Sequence, residues 1–475
     1  MRRRTVFAAS FAALLALLVV RNHALFSVAV DETGDSAANS ILVHQAKEFR
    51  LLVGNYSRLG FSHPGPAFLY VQAFGEWLFH DVLHVVPTWW NGQALAALAL
   101  NAALLACTLT VLAGWYPSWP RLALAGAVLL AYATVYSGLF STVWMPLMYV
   151  APFLLLLVSA SSVVAGRTGD LWAVGLAGGL LVHGHAEFLL FVPVIAGIGV
   201  VAALRRRAPR AHWLAFGAVL VPFALTIGLD LALHWPGEFG RYLGYGGSSR
   251  ASGHGPGAAL AYTLRFWPGR SPWLAAPAAL ALFGAAWLLR RRPLVRAGLV
   301  VGLVATLLFV VYAVRGIDDL SQDYVGYFLR AVPLSLILLL VLTVVPPLRA
   351  VAGGALAVAV LAALAVPAAL LTPREQYDDL PAVLATLRAR AGGRPVVVDL
   401  DPDVWPALDA LVIGGQRRGI RVCAGSPQWT FMVTREFVCT PSERAVGYPV
   451  RLGDGAEPDG GVLARLGSTV VSTRT

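Results

Sequence analysis

Leu52-Val53-Gly54-Asn55-Tyr56-Ser57-Arg58-Leu59-Gly60-Phe61-Ser62-His63-Pro64-Gly65-Pro66 follows the acidic run Asp31-Glu32-Thr33-Gly34-Asp35. Both stretches lie between the first apolar segment of the chain and the next. Three carboxylates, an arginine and a histidine thus stand close to hydrocarbon. Ionisable groups at membrane depth or its edge are expensive to keep, so chemistry or transport is the default reading.

The surrounding composition makes this a membrane chain. Of its 475 residues, 58% are hydrophobic and only 13% charged, where a soluble chain carries about a quarter charged. The mean hydropathy is +0.70. Apolar runs recur over the first ~370 residues, many near the ~20 residues that cross a bilayer. In a soluble chain the net charge of +11 would point to nucleic acid. Here the arginines gather in short connections at 2–4, 205–210 and 290–296, which is the positive-inside pattern. Lys47 is the only lysine, so arginine has almost replaced it, as GC-rich coding does.

Residues 6–20, after Arg2-Arg3-Arg4, read as a retained first span rather than a signal peptide cleaved near Ser27-Val28-Ala29. Arg21 and His23 at its far end fit the interface as snorkelling side chains. Apolar segments follow at 67–87, 91–114, 121–140, 143–163, 171–204, 211–233, 272–290, 297–314, 331–348 and 350–371. The segment 171–204 is too long for one crossing and is broken at Gly184 and Pro193. Two crossings there upset the alternation unless an earlier segment is interfacial or re-entrant, so we expect about 10–12 spans. With the amino terminus inside, the first loop (28–66) and the carboxy-terminal segment fall outside.

From about residue 373 the pattern changes. Helices over 376–391 and 405–418 alternate with strands over 395–400 and 420–424, which predicts a small extracytoplasmic α/β domain. The fold class expected is an all-α polytopic membrane domain (1–372) carrying that domain (373–475). No glycine-rich phosphate fingerprint opens either helix. Cys107 sits in an apolar span as a small core residue. Cys423 and Cys439 fall in the outer domain, where a disulfide is open to them in an oxidising compartment.

The first loop resembles one known family. An acidic motif shortly after the first span, then a longer outer loop closing on His-Pro at the next helix, is similar to the GT-C superfamily of integral membrane glycosyltransferases. Protein mannosyltransferases of that superfamily carry Asp-Glu after the first helix and His-Pro-Pro before the second; this chain has Asp31-Glu32 and His63-Pro64-Gly65-Pro66. The resemblance covers residues ~28–80. It implies transfer of a sugar from a polyprenyl-phosphate donor to a cell-envelope glycan, lipid or protein on the outer face of a bacterial plasma membrane. It also implies a base among Asp35, Asp31 and Glu32. A positioned carboxylate taking the acceptor proton contributes roughly 10²–10⁴-fold. The departing lipid phosphate calls for a cation, either an arginine fork or a divalent metal.

Arg58 is then a phosphate or sugar contact, and His63 either touches the acceptor or holds the loop. His183, His185 and Glu187 alternate, which spreads them around a helix axis and suits a cavity wall or substrate contact better than a metal site. The outer connections add Arg241, Tyr242, Tyr245, Arg250 and His254, then Arg315, Asp318, Asp319, Asp323, Tyr324 and Arg330; the arginines are candidates for the donor phosphate. Asp399, Asp401 and Asp403 read as a strand-to-helix turn rather than a cation site. Two rival functions fit the same residues: a flippase or transporter of a lipid-linked envelope precursor, and a non-catalytic envelope scaffold. Paired broken helices in two related halves would mark the transporter, and none stands out.

Overall fold

The computed structural model describes residues 2–248, 253–269, 271–366, 377–454 and 461–473. They form two compact units that do not follow chain order: Met1–His23 with Ala97–Leu370, and Ala24–Ala96 with Leu371–Thr475. The first loop therefore belongs with the carboxy-terminal segment, where the chain order alone places it with the spans.

Among the described residues, seven helices are long and apolar enough to cross a membrane. They are Arg3–Arg21, Trp89–Ala113, Met145–Ala165, Phe188–Arg205, Arg210–His234, Pro293–Arg315 and Asp323–Val344. Three shorter apolar helices accompany them: Trp119–Val135, Trp273–Leu288 and Arg349–Ala365. The apolar helix Leu171–Gly184 makes an eleventh. This is a multi-pass membrane protein.

Burial sorts these helices. Val150–Ala165 is apolar and buried on nearly every side, which marks a central helix. It packs on Leu171–Gly184, Phe188–Arg205, Pro293–Arg315 and Ala331–Val344. Arg210–His234 instead exposes Leu214, Val221, Leu225, Leu229 and Leu233, as a lipid-facing span does. At one end of this unit Arg3 Nη1 meets Asp170 at 2.7 Å, Arg206 donates to the Val164 carbonyl at 3.0 Å, and Thr168 meets His212 at 3.0 Å. The basic connection at 205–210 and the start of the first helix thus both meet the turn at 164–170.

Two expected segments differ from the structure. Residues 171–204 form two helices, with the break at 185–187. Residues 67–87 form no span: a nine-residue helix, Ala67–Gly75, runs into the π-helix Glu76–Val82. The reason is in the sequence. Glu76, His80, Asp81 and His84 would all have to enter hydrocarbon. Here Glu76 is buried against protein instead.

The other unit is built on a five-stranded sheet of order β2-β1-β3-β5-β4. Its strands are β1 (Val396–Leu400), β2 (Val422–Ala424), β3 (Tyr448–Asp454), β4 (Val462–Leu466) and β5 (Thr469–Thr473). β1 runs parallel to β2 and β3, while β5 pairs antiparallel with β3 and β4. Helices Leu380–Ala391 and Trp405–Arg417 match the predicted pair. Cys423 and Cys439 are bonded and pack against Val397.

The first loop is not irregular. Gly34–Lys47 is a helix whose Ala37 and Ile41 sit in the same core as Val396, Val398, Leu408, Leu411, Val450 and Leu452. Ile41 is fully buried, and trimming it to alanine would cost about 2–5 kcal/mol. Close crossing also matters at Gly75. A Cβ there would lie 2.4 Å from that of Ala96 and 2.5 Å from the Gly92 carbonyl, so only glycine lets Glu76 approach Gln93.

Candidate functional site

Helix Trp405–Arg417 packs along the loop helix Gly34–Lys47, and its contacts explain where each first-loop acid goes. At its start, the Trp405 ring lies 6.5 Å from that of Tyr56. At its end, Arg417 pairs with Glu32 and, at 3.1 Å, with Glu76, while its guanidinium stands 5.1 Å above Trp89. Arg418, the next residue, bridges Asp31 at 2.9 Å.

Glu76 is the hub of this network. It accepts from Lys47 at 2.9 Å and from Gln93 at 2.8 Å, and Lys47 reaches Asp81 at 2.5 Å. Burial alone would raise the Glu76 carboxyl, but the Arg417 and Lys47 charges and the Lys47 and Gln93 hydrogen bonds hold it below its usual value. The same pairs keep Lys47 above the usual range against the cost of burial. Both cations are required: a buried carboxylate that loses its partner is an uncompensated charge.

Asp35 differs from its two neighbours. It is exposed, sits in the first turn of the loop helix and accepts from the Tyr56 hydroxyl at 2.5 Å. Negative charge is favoured there by the helix dipole. Asp409, one turn beyond Trp405, is fully buried, and among the described residues neither carboxyl oxygen has a hydrogen-bond partner. Burial first, and then the Asp35 charge, push it well above the usual range. Nothing in the sequence singled out Glu76, Asp409, Arg417 or Lys47 as a group. The signal available was a set of charged residues at positions otherwise patterned for burial.

His63 is buried and edge-on to Phe61 at 6.0 Å, and its backbone closes a narrow loop with Gly54 and Asn55. The loop Tyr56↔Ser62 bridge presents Arg58 as an exposed side chain. Asp401 bridges Arg451 at 3.0 Å. Among the described residues no group of three or more His, Cys, Asp or Glu is placed to hold a metal ion.

In the membrane unit, Arg330 stands out. Its guanidinium lies 4.7 Å from the Tyr136 ring and 4.5 Å from the Tyr327 ring, and Trp144 packs edge-on to Tyr327 at 6.0 Å. The Arg330 Nε is buried with no hydrogen-bond partner among the described residues. The Tyr132 hydroxyl fixes the Arg330 carbonyl at 3.0 Å. Arg241 is exposed and pairs with Glu238 at 3.1 Å, whereas Arg315 is an exposed helix end. Arg250 lies outside the described residues. His185 and Glu187 occupy the break between Leu171–Gly184 and Phe188–Arg205, with His185 Nδ1 3.6 Å from Glu187 Oε1. The Tyr312 phenol stands beside the Glu187 carboxyl, and the Glu187 Oε2 is buried with no hydrogen-bond partner among the described residues. Leaving such an oxygen unsatisfied costs about 1–3 kcal/mol.

Compared with solved structures, the chain aligns over nearly its whole length with "ArnT from Cupriavidus metallidurans in the apo state". The match covers 99% of this chain and 98% of that one, with a TM-score of 0.58 and 14% identity. This chain has the ArnT fold. The architecture expected from the sequence, a set of apolar helices carrying a small carboxy-terminal sheet, is present. No protein-family model matches the sequence. No curated protein matches it either. Likeness to ArnT at this identity speaks for the fold, and the chemistry has to be argued from the residues.

Proposed function

We propose that the protein is a membrane glycosyltransferase of the GT-C type. It moves a sugar from a polyprenyl-phosphate donor to an acceptor hydroxyl of the cell envelope. The observation that carries this reading is the exposed Asp35 carboxylate, held by Tyr56 on a loop helix built into the core of the sheet unit, in a chain with the ArnT fold.

In this reading Asp35 takes the proton as the acceptor oxygen attacks the sugar carbon, and the bond to the lipid phosphate breaks. Asp31 is the second choice, since its carboxylate is already bridged to Arg418. Glu32 is enclosed with Arg417 and acts as an anchor. Arg330 receives the phosphate, presenting a cation backed by two aromatic faces. Outer-face action is supported by the alternation of eleven apolar helices. With the amino terminus inside, their succession puts 24–88 and 377–473 outside. It also puts Arg121, Arg167, the arginines of 205–210 and 290–296, and Arg349 inside.

The test is turnover by purified protein in lipid nanodiscs, with radiolabelled polyprenyl-phosphate sugars and envelope-glycan acceptors. Asp35→Asn should lower transfer at least a hundredfold. Unchanged transfer in both Asp35→Asn and Asp31→Asn would end the proposal.

A further inference from the structure

The helix break at 185–187 carries groups that the transfer step above does not use. Glu187 is buried, with its Oε1 3.6 Å from His185 Nδ1 and the Tyr312 phenol beside the carboxyl, while its Oε2 has no hydrogen-bond partner among the described residues. His185 is only partly buried, so the pair is reachable past the imidazole. The break is also held open deliberately. The Tyr149 hydroxyl takes the Gly184 carbonyl at 2.6 Å, and the Tyr149 ring packs edge-on to Phe188 at 5.4 Å.

We infer that Glu187, with His185 and Tyr312, forms a subsite for the hydroxyl groups of a sugar. The open carboxyl oxygen is an acceptor that a hydroxyl would satisfy. The phenol beside it both donates and accepts, and the imidazole, whose Nδ1 accepts the Glu187 backbone N–H at 3.3 Å, donates from Nε2, which suits neighbouring hydroxyls of a ring. A cation is a poorer fit, because one carboxyl supplies too few oxygens and no third acid is grouped with it among the described residues. The subsite rests on the glycosyltransferase reading only for the identity of the sugar as part of donor or acceptor.

Dicyclohexylcarbodiimide, which modifies carboxyls in apolar surroundings, reads this site without requiring turnover. The full chain in nanodiscs would be labelled and digested, and the Glu187 peptide followed by mass spectrometry. Glu187→Gln would serve as the unreactive control. Octyl glycosides at saturating concentration and decaprenyl-phosphate sugars would be tested as protectants, with sugar-free decaprenyl phosphate alongside. We expect labelling of Glu187 in the unliganded protein, slowed at least fivefold by a glycoside or a sugar-bearing lipid and not by the sugar-free lipid. No labelling means a closed site and overturns the inference. Labelling that no sugar slows means that water alone satisfies Glu187, and equal protection by the sugar-free lipid means occlusion by the chain; each also overturns it. The two readings fail separately. Transfer that needs Asp35 with an unprotected Glu187 removes only the subsite, whereas a protected Glu187 without transfer removes only the enzyme.

Discussion

Arg417 holds Glu32 across 385 residues of sequence, and the same guanidinium reaches Glu76. One side chain from the carboxy-terminal segment therefore fixes both ends of the first-loop region. Removing one member of a buried ion pair strands the other, at a cost of about 3–5 kcal/mol. Arg417→Met is expected to lower the thermal midpoint accordingly and to speed amide exchange in Gly34–Lys47. Arg417→Lys should recover little, because one ammonium cannot fork to two carboxyls while stacked on Trp89. The double variant Glu32→Gln with Arg417→Met should recover part of the loss, and no recovery would count against pairing as its source.

Two carboxyls of the sheet unit should make stability depend on pH in opposite directions. Asp409 keeps its proton in the fold above the usual 3.8, where the unfolded chain has lost it. The folded state then binds more protons, so stability falls as pH rises above about 4, by about 1.4 kcal/mol per pH unit until the buried carboxyl ionises. Asp409→Asn should flatten that slope. Glu443 is held down to about 2, first by its Arg421 hydrogen bond and then by backbone and side-chain bonds from Thr440, with burial opposing. Its contribution is present above about 4.5 and is lost as pH falls towards 2. Unfolding midpoints of Glu443→Gln and Asp409→Asn between pH 3 and 9 separate the two.

Much of the membrane unit was legible because apolar length is a direct signal: 211–233 and 143–163 became Arg210–His234 and Met145–Ala165. The error at 67–87 came from weighing hydropathy over charge, since Glu76 and Asp81 already argued against a span. The loop helix was missed although Ala37, Ala38, Ile41 and Leu42 recur at helical spacing. Strands β4 and β5 were missed although Gly467-Ser468 is a two-residue hairpin turn, with Gly467 at φ 59°. The Arg417 network was out of reach for a different reason. Its members are scattered over 32–417, and only the packing of two helices brings them together.

Tyr56 offers a gentler probe of the proposed base than Asp35 itself. Its ring is fixed edge-on by Trp405 and Phe431, so Tyr56→Phe removes only the hydroxyl that donates to Asp35. A hydrogen bond to a charged group contributes about 1.5–3 kcal/mol, which sets an expected fall in kcat of roughly tenfold or more. KM for the acceptor should stay within about twofold. An equal effect in a background of Asp35→Asn would show that Tyr56 acts on something else.

The disulfide is a clean test of compartment and stability together. Cys423 and Cys439 are 16 residues apart, and closing a loop of that length contributes about 3 kcal/mol in the chain-entropy account. Reduction, or the Cys423→Ser, Cys439→Ser double variant, should lower the midpoint of the sheet unit and leave the helical signal of the spans in place. A midpoint unchanged by reductant would show the pair unbonded in the isolated protein.

Arg330 separates the roles of charge and shape at the proposed donor site. Its guanidinium is stacked between Tyr136 and Tyr327, where a flat cation gains from both faces and a lysine ammonium would not fill the gap. Arg330→Lys keeps the charge and is expected to raise KM for the polyprenyl-phosphate donor about tenfold, with kcat little changed. Arg330→Leu should abolish saturable binding of decaprenyl phosphate measured by native mass spectrometry. The structural alternative is that Arg330 only fastens the start of Ala331–Val344 through its aromatic neighbours. In that case Arg330→Leu would lower the unfolding midpoint and leave lipid-phosphate binding intact, and the donor phosphate would have to be sought at another arginine, with exposed Arg58 the first to test.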